Sequence, residues 1–261
     1  MRPAARRALF GAVLAFVYAP ILVVVVYSFN DSRFALAWQG FTLRWYRSLL
    51  ASAEFRTALE NTLVISLSAT LLATALGTLL AVGIHFLRFP GRRALQALLY
   101  LPVVMPDIVM AVGLLALYVA THLTLGRVSV ILAHVSFQIS FVALVVGGRL
   151  QGFPVSLVEA ARDLGAGPLA VLRRIVLPVI RPGIAAGAVV AATLSVDDFL
   201  ITYFTAGAGA STLSIRIYAM VKRGVTPDVN ALATLLLVFT IGVSLLALRG
   251  VGRPNRTGET A

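Results

Sequence analysis

Three aspartates interrupt long apolar stretches of this chain, and they define the chemistry that the sequence offers. Asp107 follows Pro106 in one stretch, Asp197 and Asp198 are adjacent in another, and neither stretch contains a Lys or Arg. A carboxylate at membrane depth costs about 3 kcal/mol on insertion scales, so it normally faces a cavity or a partner. Carboxylates replace the water that an ammonium group loses. We therefore expect the three aspartates to line a path for a polycation.

Two structural roles for these aspartates stay open. They bond to backbone groups that Pro102 and Pro106 leave free, or they pair with another subunit across an interface. Tyr203 and Phe204 follow Asp198 within two turns. Their rings either face the cation along the same path or anchor the chain at the membrane surface.

Catalytic chemistry is not expected in this chain. His85, His122 and His134 have no metal-ligand spacing, and we interpret them as structural. The absence of cysteine excludes thiolate metal sites and cysteine nucleophiles. The single lysine, Lys222, is followed by Arg223, so no phosphate-binding loop of the G-x-x-x-x-G-K-[ST] type exists. We predict no catalytic residue, metal or cofactor.

The composition indicates that lipid surrounds most of the chain. Its residues are 59% hydrophobic and 12% charged, whereas soluble domains have about 25% charged residues. The net charge of +12 does not indicate nucleic-acid binding, because the basic residues lie between apolar runs. A membrane helix needs about 20 apolar residues. Six stretches meet this length: 8–27, 62–87, 95–120, 129–148, 183–206 and 231–248.

The distribution of basic residues predicts the orientation. An even number of spans places both termini on one side, and most Arg residues fall in the tails and in the loops 88–93 and 149–181. By the positive-inside rule, this side is cytoplasmic. The first apolar run follows Arg2, Arg6 and Arg7 and is longer than the 7–15 residues of a signal-peptide core. We therefore predict an uncleaved first span.

Two other features suit a membrane protein. Small residues recur every fourth position in the second and fifth spans: Ala69, Ala73, Gly77 and Ala81, then Gly183, Gly187, Ala191 and Ser195. They permit close helix packing, either within the chain or against another subunit. The external segment 28–61 holds Trp38, Trp45 and Tyr46. It either anchors at the membrane interface or contacts an external binding protein.

The loop 149–181 has the pattern of two short helices. Pro154 favours the start of the first helix and Gly165 its end, while Pro168 favours the start of the second, which Pro178 limits. One face of the first helix is apolar and consists of Leu157, Ala161 and Leu164. Such a face either lies on lipid headgroups or binds a partner.

The same loop resembles the EAA loop of bacterial ABC importer permeases. The residues that carry the resemblance are Glu159, Ala160, Ala161, Gly165, Ile175, Leu177 and Pro178. The resemblance implies an all-α membrane protein of the type I importer permease fold, with six transmembrane helices in a single domain, 1–261. It also implies that the loop is a coupling helix docking on a cytoplasmic ATPase. Glu159 would contact that ATPase, Ala160 and Ala161 would permit close approach, and Gly165 would form the sharp turn.

Further segments are similar to spermidine/putrescine permeases of the PotC type: 27–30, 106–110, 195–198, 217–222 and 227–234. This similarity implies polyamine import across the bacterial inner membrane. The implied partners are a second homologous permease, two copies of the ATPase, and a periplasmic or extracellular solute-binding protein. Two alternatives remain: an importer of another small solute, such as an amino acid, an opine-like compound or a metal complex, and a stand-alone secondary transporter. The second would have no use for a docking loop.

Overall fold

The computed structural model describes residues 3–32, 37–224 and 226–251, and their regular elements are helices apart from one bridge, Asn30 with Phe41. The helices are α1 Pro3–Tyr27, α2 Arg44–Ala51, α3 Ala53–Phe86, α4 Arg92–Val104, α5 Asp107–Ala120, α6 Arg127–Gln151, α7 Ser156–Asp163, α8 Pro168–Val171, α9 Leu177–Asp197, α10 Leu200–Thr205, α11 Leu213–Arg223 and α12 Pro227–Val251. The chain divides into two compact units: Met1–Glu60 with Thr212–Thr240, and Asn61–Ser211 with Ile241–Ala261.

Several helices are long and apolar enough to cross a membrane. Among the described residues there are four, or five when the bent pair α4–α5 counts as one span. The four are Ala5–Tyr27, Ala53–Phe86, Arg127–Gln151 and Pro168–Asp197. The sixth predicted span falls on α12, whose described apolar part, Pro227–Gly242, is shorter. The predicted tail residues Arg2, Arg253 and Arg256, and Arg33 on the opposite side, lie outside the described residues.

The third predicted span, 95–120, is wrong as a single straight helix. It consists of α4 and α5, and the helix direction changes by 110° between them. Met105 between them is extended (φ −70°, ψ 137°), and so is Pro106 (φ −59°, ψ 135°). Proline lacks the N–H for a helical hydrogen bond and disfavours the helical conformation of the residue before it. The bend therefore follows from Pro106, and α5 starts directly after it.

The fifth predicted span, 183–206, is also interrupted. Helix α9 ends at Asp197, Asp198 is extended (φ −62°, ψ 128°), and the short helix α10 follows from Leu200. No proline marks this interruption in the sequence. The Asp198 side chain stabilises it by accepting a hydrogen bond from the backbone N–H of Thr202 in α10.

The pattern predicts that the second helix of the loop 149–181 ends before Pro178, and this prediction is wrong. It continues from Pro168 through a π-helical segment, Leu172–Val176, directly into α9, so that Pro168–Asp197 is one helix of 30 residues. A π-helical turn shifts the hydrogen-bond register. The shift immediately precedes Pro178, which has no N–H to donate, so the helix passes the proline instead of ending there.

Small residues bring helices of the second unit into close contact. A Cβ at Gly77 in α3 would lie 2.7 Å from Val142 Cβ in α6, and one at Gly187 in α9 would lie 3.2 Å from Val142 Cγ1. A Cβ at Gly183 would lie 2.7 Å from Arg149 Cβ. At these positions the small-residue stripes therefore serve packing within the chain.

The first unit has its own core, in which Leu49, Phe55, Leu213, Met220 and Leu232 are buried. The segment 28–61, which we predict to be external, is folded onto the end of α1 through Asn30, which is fully buried. Its side-chain amide donates to Ala37 O (2.7 Å) and accepts from Gln39 N–H (2.9 Å). The backbone carbonyl oxygen of Asn30 accepts a hydrogen bond from the indole N–H of Trp45 (2.8 Å). Of the aromatic residues predicted to anchor or bind, Trp45 and Tyr46 are thus half-buried, and Trp38 is exposed.

We expect Gly77→Ala to destabilise the protein, because the new methyl group would meet the Ile139 carbonyl oxygen at 2.8 Å as well as Val142. Overpacking of this kind costs about 1–3 kcal/mol. The measurement is the thermal unfolding midpoint of the purified protein in detergent. Gly83→Ala, on the same helix with no neighbour within 4 Å, is the matched control. An unchanged midpoint for Gly77→Ala would contradict the packing described here.

Candidate functional site

The three aspartates singled out in the sequence line one cavity in the second unit. The cavity has a volume of about 330 Å³ and lies between α4, α5, α6, α9 and α10. Its lining residues are Pro102, Asp107, Met110, Phe137, Phe141, Thr193, Leu194, Asp197, Asp198, Phe199, Leu200 and Ile201. The two helix interruptions explain the convergence, because Asp107 follows one of them and Asp197 and Asp198 mark the other.

Asp198 is the most enclosed of the three carboxylates, with its side chain 9% exposed. Its Oδ2 accepts from the backbone N–H of Thr202 and from the Thr202 hydroxyl, both at 2.7 Å. The His134 Nε2 atom lies 3.3 Å from the same oxygen. One oxygen of this carboxylate therefore has a structural role. It binds to Thr202 in α10, and not to backbone groups that Pro102 or Pro106 leave free.

His134 connects this carboxylate to two helices. The ring is fully buried, its Nδ1 lies 2.7 Å from Ser195 Oγ in α9, and its Nε2 lies 2.9 Å from Thr202 Oγ1 in α10. The Thr202 hydroxyl donates to Asp198, so it accepts from His134 Nε2–H, and Nδ1 shares a hydrogen bond with the Ser195 hydroxyl. The hydrogen bonds connect Ser195, His134, Thr202 and Asp198 in one series.

The sequence predicts a structural role for His134 and gives no indication of its contact with Asp198. The two residues are 64 positions apart, and no local pattern links them. One local signal existed: Asp198 precedes Thr202 by four residues, and an aspartate at a helix start commonly accepts a hydrogen bond from a backbone N–H in the first turn.

Asp107 and Asp197 are more open. Both residues are exposed, Asp107 in the first turn of α5 and Asp197 as the last residue of α9. Tyr203 is not among the lining residues; it is 51% exposed, and its ring lies 5.4 Å from the ring of Phe199, which does line the cavity.

The loop that carries the EAA-like residues forms a second exposed site. Helix α7 contacts the rest of the unit through Val158, which is 4% exposed, and through half-buried Ala161. Leu157 and Leu164, predicted for the same apolar face as Ala161, are 44% and 89% exposed. The predicted face is therefore divided: its Ala161 edge packs inward and the two leucines remain accessible.

The remaining residues of the EAA-like pattern lie on α7, in the turn after it, and in or just after the π-helical segment. Glu159 and Ala160 are exposed on α7, and Gly165 has φ +79°, a conformation that favours glycine because it has no Cβ. Ile175 and Leu177 are half-buried against the core of the second unit, beside the π-helical segment. Pro178 is exposed. The loop is thus attached to the core at its second half and presents its first helix outward.

The comparisons with known proteins decide the family. A model of the binding-protein-dependent transport system inner membrane component family matches residues 73–253. The chain belongs to this family. This permease is 41% identical over 249 residues to the spermidine/putrescine transport system permease protein PotC of Escherichia coli K12, covering 95% of the chain and 94% of that protein. It is 42% identical over 229 residues to the putrescine transport system permease protein PotI of the same strain, covering 85% and 82%.

Solved structures agree on the fold of the permease. A bacterial ABC transporter involved in the import of the acidic polysaccharide alginate superimposes with a TM-score of 0.73 at 20% identity, covering 97% of the chain and 96% of the other. The MetNI methionine ABC transporter gives a TM-score of 0.65 at 22% identity, covering 77% and 97%. At these identities the likeness shows the fold alone. The predicted all-α fold of an ABC importer permease and the resemblance to that family are confirmed, as is a multi-pass protein of the inner membrane.

We expect Thr202→Val to destabilise the permease by about 1–3 kcal/mol, because His134 and Asp198 would each lose a buried hydrogen-bond partner. The measurement is the thermal unfolding midpoint in detergent. Thr193→Val is the control, since that hydroxyl bonds only to Val189 O in its own helix, an interaction that adds little stability. Equal midpoints for the two variants would contradict the hydrogen-bond series.

Proposed function

We propose that this permease provides the membrane route for polyamines such as spermidine and putrescine in an ATP-driven bacterial importer. The observation that carries the proposal is the cavity: three aspartates line it, and its lining among the described residues contains no Lys or Arg. The similarity to PotC over 95% of the chain supports the same substrate class.

The chemistry of the cavity suits an extended polycation. Carboxylates accept hydrogen bonds from ammonium groups, and the charge makes each such bond about twice as strong as a neutral one. Phe137, Phe141 and Phe199 offer apolar contact to the methylene segments and ring faces to the charged ends. The volume of about 330 Å³ lies in the range of small-molecule pockets.

The loop 149–181 is the proposed contact with the ATPase. Leu157 and Ala160 on α7 and Leu164 just after it are exposed, and so are the charged residues of α7: Glu159, Arg162 and Asp163. A surface that combines apolar and charged groups suits docking on another protein. We infer that this face is cytoplasmic, that both termini share its side, and that ATP is hydrolysed by the partner and not by this chain. A second homologous permease, two ATPase copies and an external solute-binding protein complete the proposed importer.

The continuous helix Pro168–Asp197 connects the two sites. It begins just after the turn at Gly165 and ends at the carboxylates of the cavity. Thirty residues span about 45 Å at 1.5 Å per residue. A displacement of α7 and α8 by the ATPase would therefore reach the cavity through one continuous helix, which supports a direct mechanical coupling.

We expect proteoliposomes with the complete importer and its binding protein to take up labelled spermidine only when ATP is supplied inside. Asp197→Asn and Asp107→Asn should each lower the initial rate about tenfold, the effect of losing about 1.4 kcal/mol of charge-assisted hydrogen bonding. Asp228→Asn, in the first turn of α12 and outside the cavity lining, is the charge-matched control.

Unchanged uptake in both cavity variants would contradict the role of the aspartates. Spermidine uptake that ignores ATP would contradict the importer itself. ATP hydrolysis without uptake of either amine would retain the importer and reject the polyamine substrate, in which case competition with amino acids would identify another class.

We expect Gly165→Val to impair coupling. A side chain in the left-handed conformation costs about 1–2 kcal/mol, which corresponds to a factor of about 5–30 in the population of the observed loop. Spermidine uptake and binding-protein-stimulated ATP hydrolysis should fall together. Gly167→Val is the control, because Gly167 has φ −70° and open space at its Cβ position. Equal activity of the two variants would contradict the proposed role of this turn.

A further inference from the structure

The buried His134 is the one histidine of the second unit that contacts a cavity carboxylate in the described structure. Both of its ring nitrogens are engaged, Nδ1 with Ser195 at the end of α9 and Nε2 with Thr202 in α10. The ring therefore bridges the interruption between these two helices from a third helix, α6. Its orientation is determined from both sides.

The hydrogen bonds at Asp198 are directed to one of its oxygens. Oδ2 receives the Thr202 N–H, the Thr202 hydroxyl and the near contact of His134 Nε2. Oδ1 accepts no hydrogen bond from the part of the chain that the structure describes, and the residue lines the cavity. The carboxylate is thus held by one oxygen and retains the acceptor capacity of the other.

The other two aspartates lack this support. Asp107 and Asp197 are exposed, and neither makes a side-chain hydrogen bond or ion pair among the described residues. A flexible carboxylate loses rotational freedom when it binds a cation, whereas a carboxylate already fixed by its surroundings does not. A rigid supporting shell is what gives a binding group a defined geometry.

We propose that His134 is a positioning residue: through Thr202 and the shared oxygen it fixes the Asp198 carboxylate, so that the second oxygen is oriented toward the ammonium group of the cargo. The inference rests on the proposed function and adds a residue that acts through Asp198 without touching the cargo. His134 also contacts the cavity wall, since its ring lies 5.7 Å from that of Phe137.

The test is a double-mutant cycle in proteoliposomes that hold the complete importer with its binding protein. The variants are His134→Ala, Asp198→Asn and the two combined, and the readout is the initial rate of labelled spermidine uptake per assembled complex. We expect His134→Ala to lower the rate about tenfold in the wild-type background and less than about twofold in the Asp198→Asn background. If His134 only supported the fold, His134→Ala would lower the uptake rate by the same factor in both backgrounds, and that result would overturn the proposal.

Two conservative variants separate positioning from support of the fold. The Gln amide reaches the position of Nε2 and can still bond to Thr202, whereas the shorter Asn amide reaches only the position of Nδ1 near Ser195. We expect His134→Gln to restore uptake at least threefold over His134→Asn, with equal amounts of complex and equal stimulated ATP hydrolysis. Equal uptake by the two, or failure of the Gln variant to assemble, would overturn the proposal.

Ser136→Ala is the control on the same helix, because that hydroxyl bonds only to Ala133 O. It should take up spermidine at the wild-type rate. The proposed function and the role of His134 can be rejected separately. Absence of spermidine uptake by the wild-type complex would reject the proposed function and this role with it. Normal wild-type uptake with additive losses in the cycle would reject only the role of His134.

Discussion

A chain surrounded by lipid must satisfy its backbone hydrogen bonds internally, and this constraint governs the whole permease. Helices meet it along most of the described chain. Interruptions within membrane-forming stretches are costly and need a specific compensation. Two occur in the predicted spans within the part of the chain that the structure describes, at Met105–Pro106 and at Asp198, and both border the cavity. The first relies on a proline that has no N–H to satisfy, and the second on a carboxylate that supplies an acceptor.

These interruptions also explain how the site obtains its charges. Each one places an aspartate at a helix end instead of on a lipid-facing side, with Asp107 opening α5 and Asp197 closing α9. Asp198 then serves two purposes, since one oxygen stabilises the start of α10 and the other remains available. The proposed cation binding and the fold thus depend on the same few groups. For this reason His134, which is remote from Asp198 in sequence, is relevant to the geometry of the cavity.

Sequence patterns predicted those parts of the permease that depend on local chemistry. The turn at Gly165, the start of α8 at Pro168 and the apolar stretches all follow from residue type and spacing. Patterns failed where two local signals competed. Pro178 predicts the end of a helix. The π-helical segment before it shifts the hydrogen-bond register, so the helix continues although Pro178 has no N–H to donate. Pro106, in an apolar run long enough for one span, produces a bend of 110° that hydropathy does not report.

The sequence by itself determined the membrane class, the family and the candidate carboxylates, because composition, apolar length and the EAA-like spacing are properties of neighbouring residues. Only the tertiary structure decided that Asp107, Asp197 and Asp198 share one cavity, that Tyr203 lies outside its lining, and that His134 holds Asp198 through Thr202. Those relations join residues from four helices. They depend on packing angles and on side-chain hydrogen bonds, which no spacing along one helix specifies.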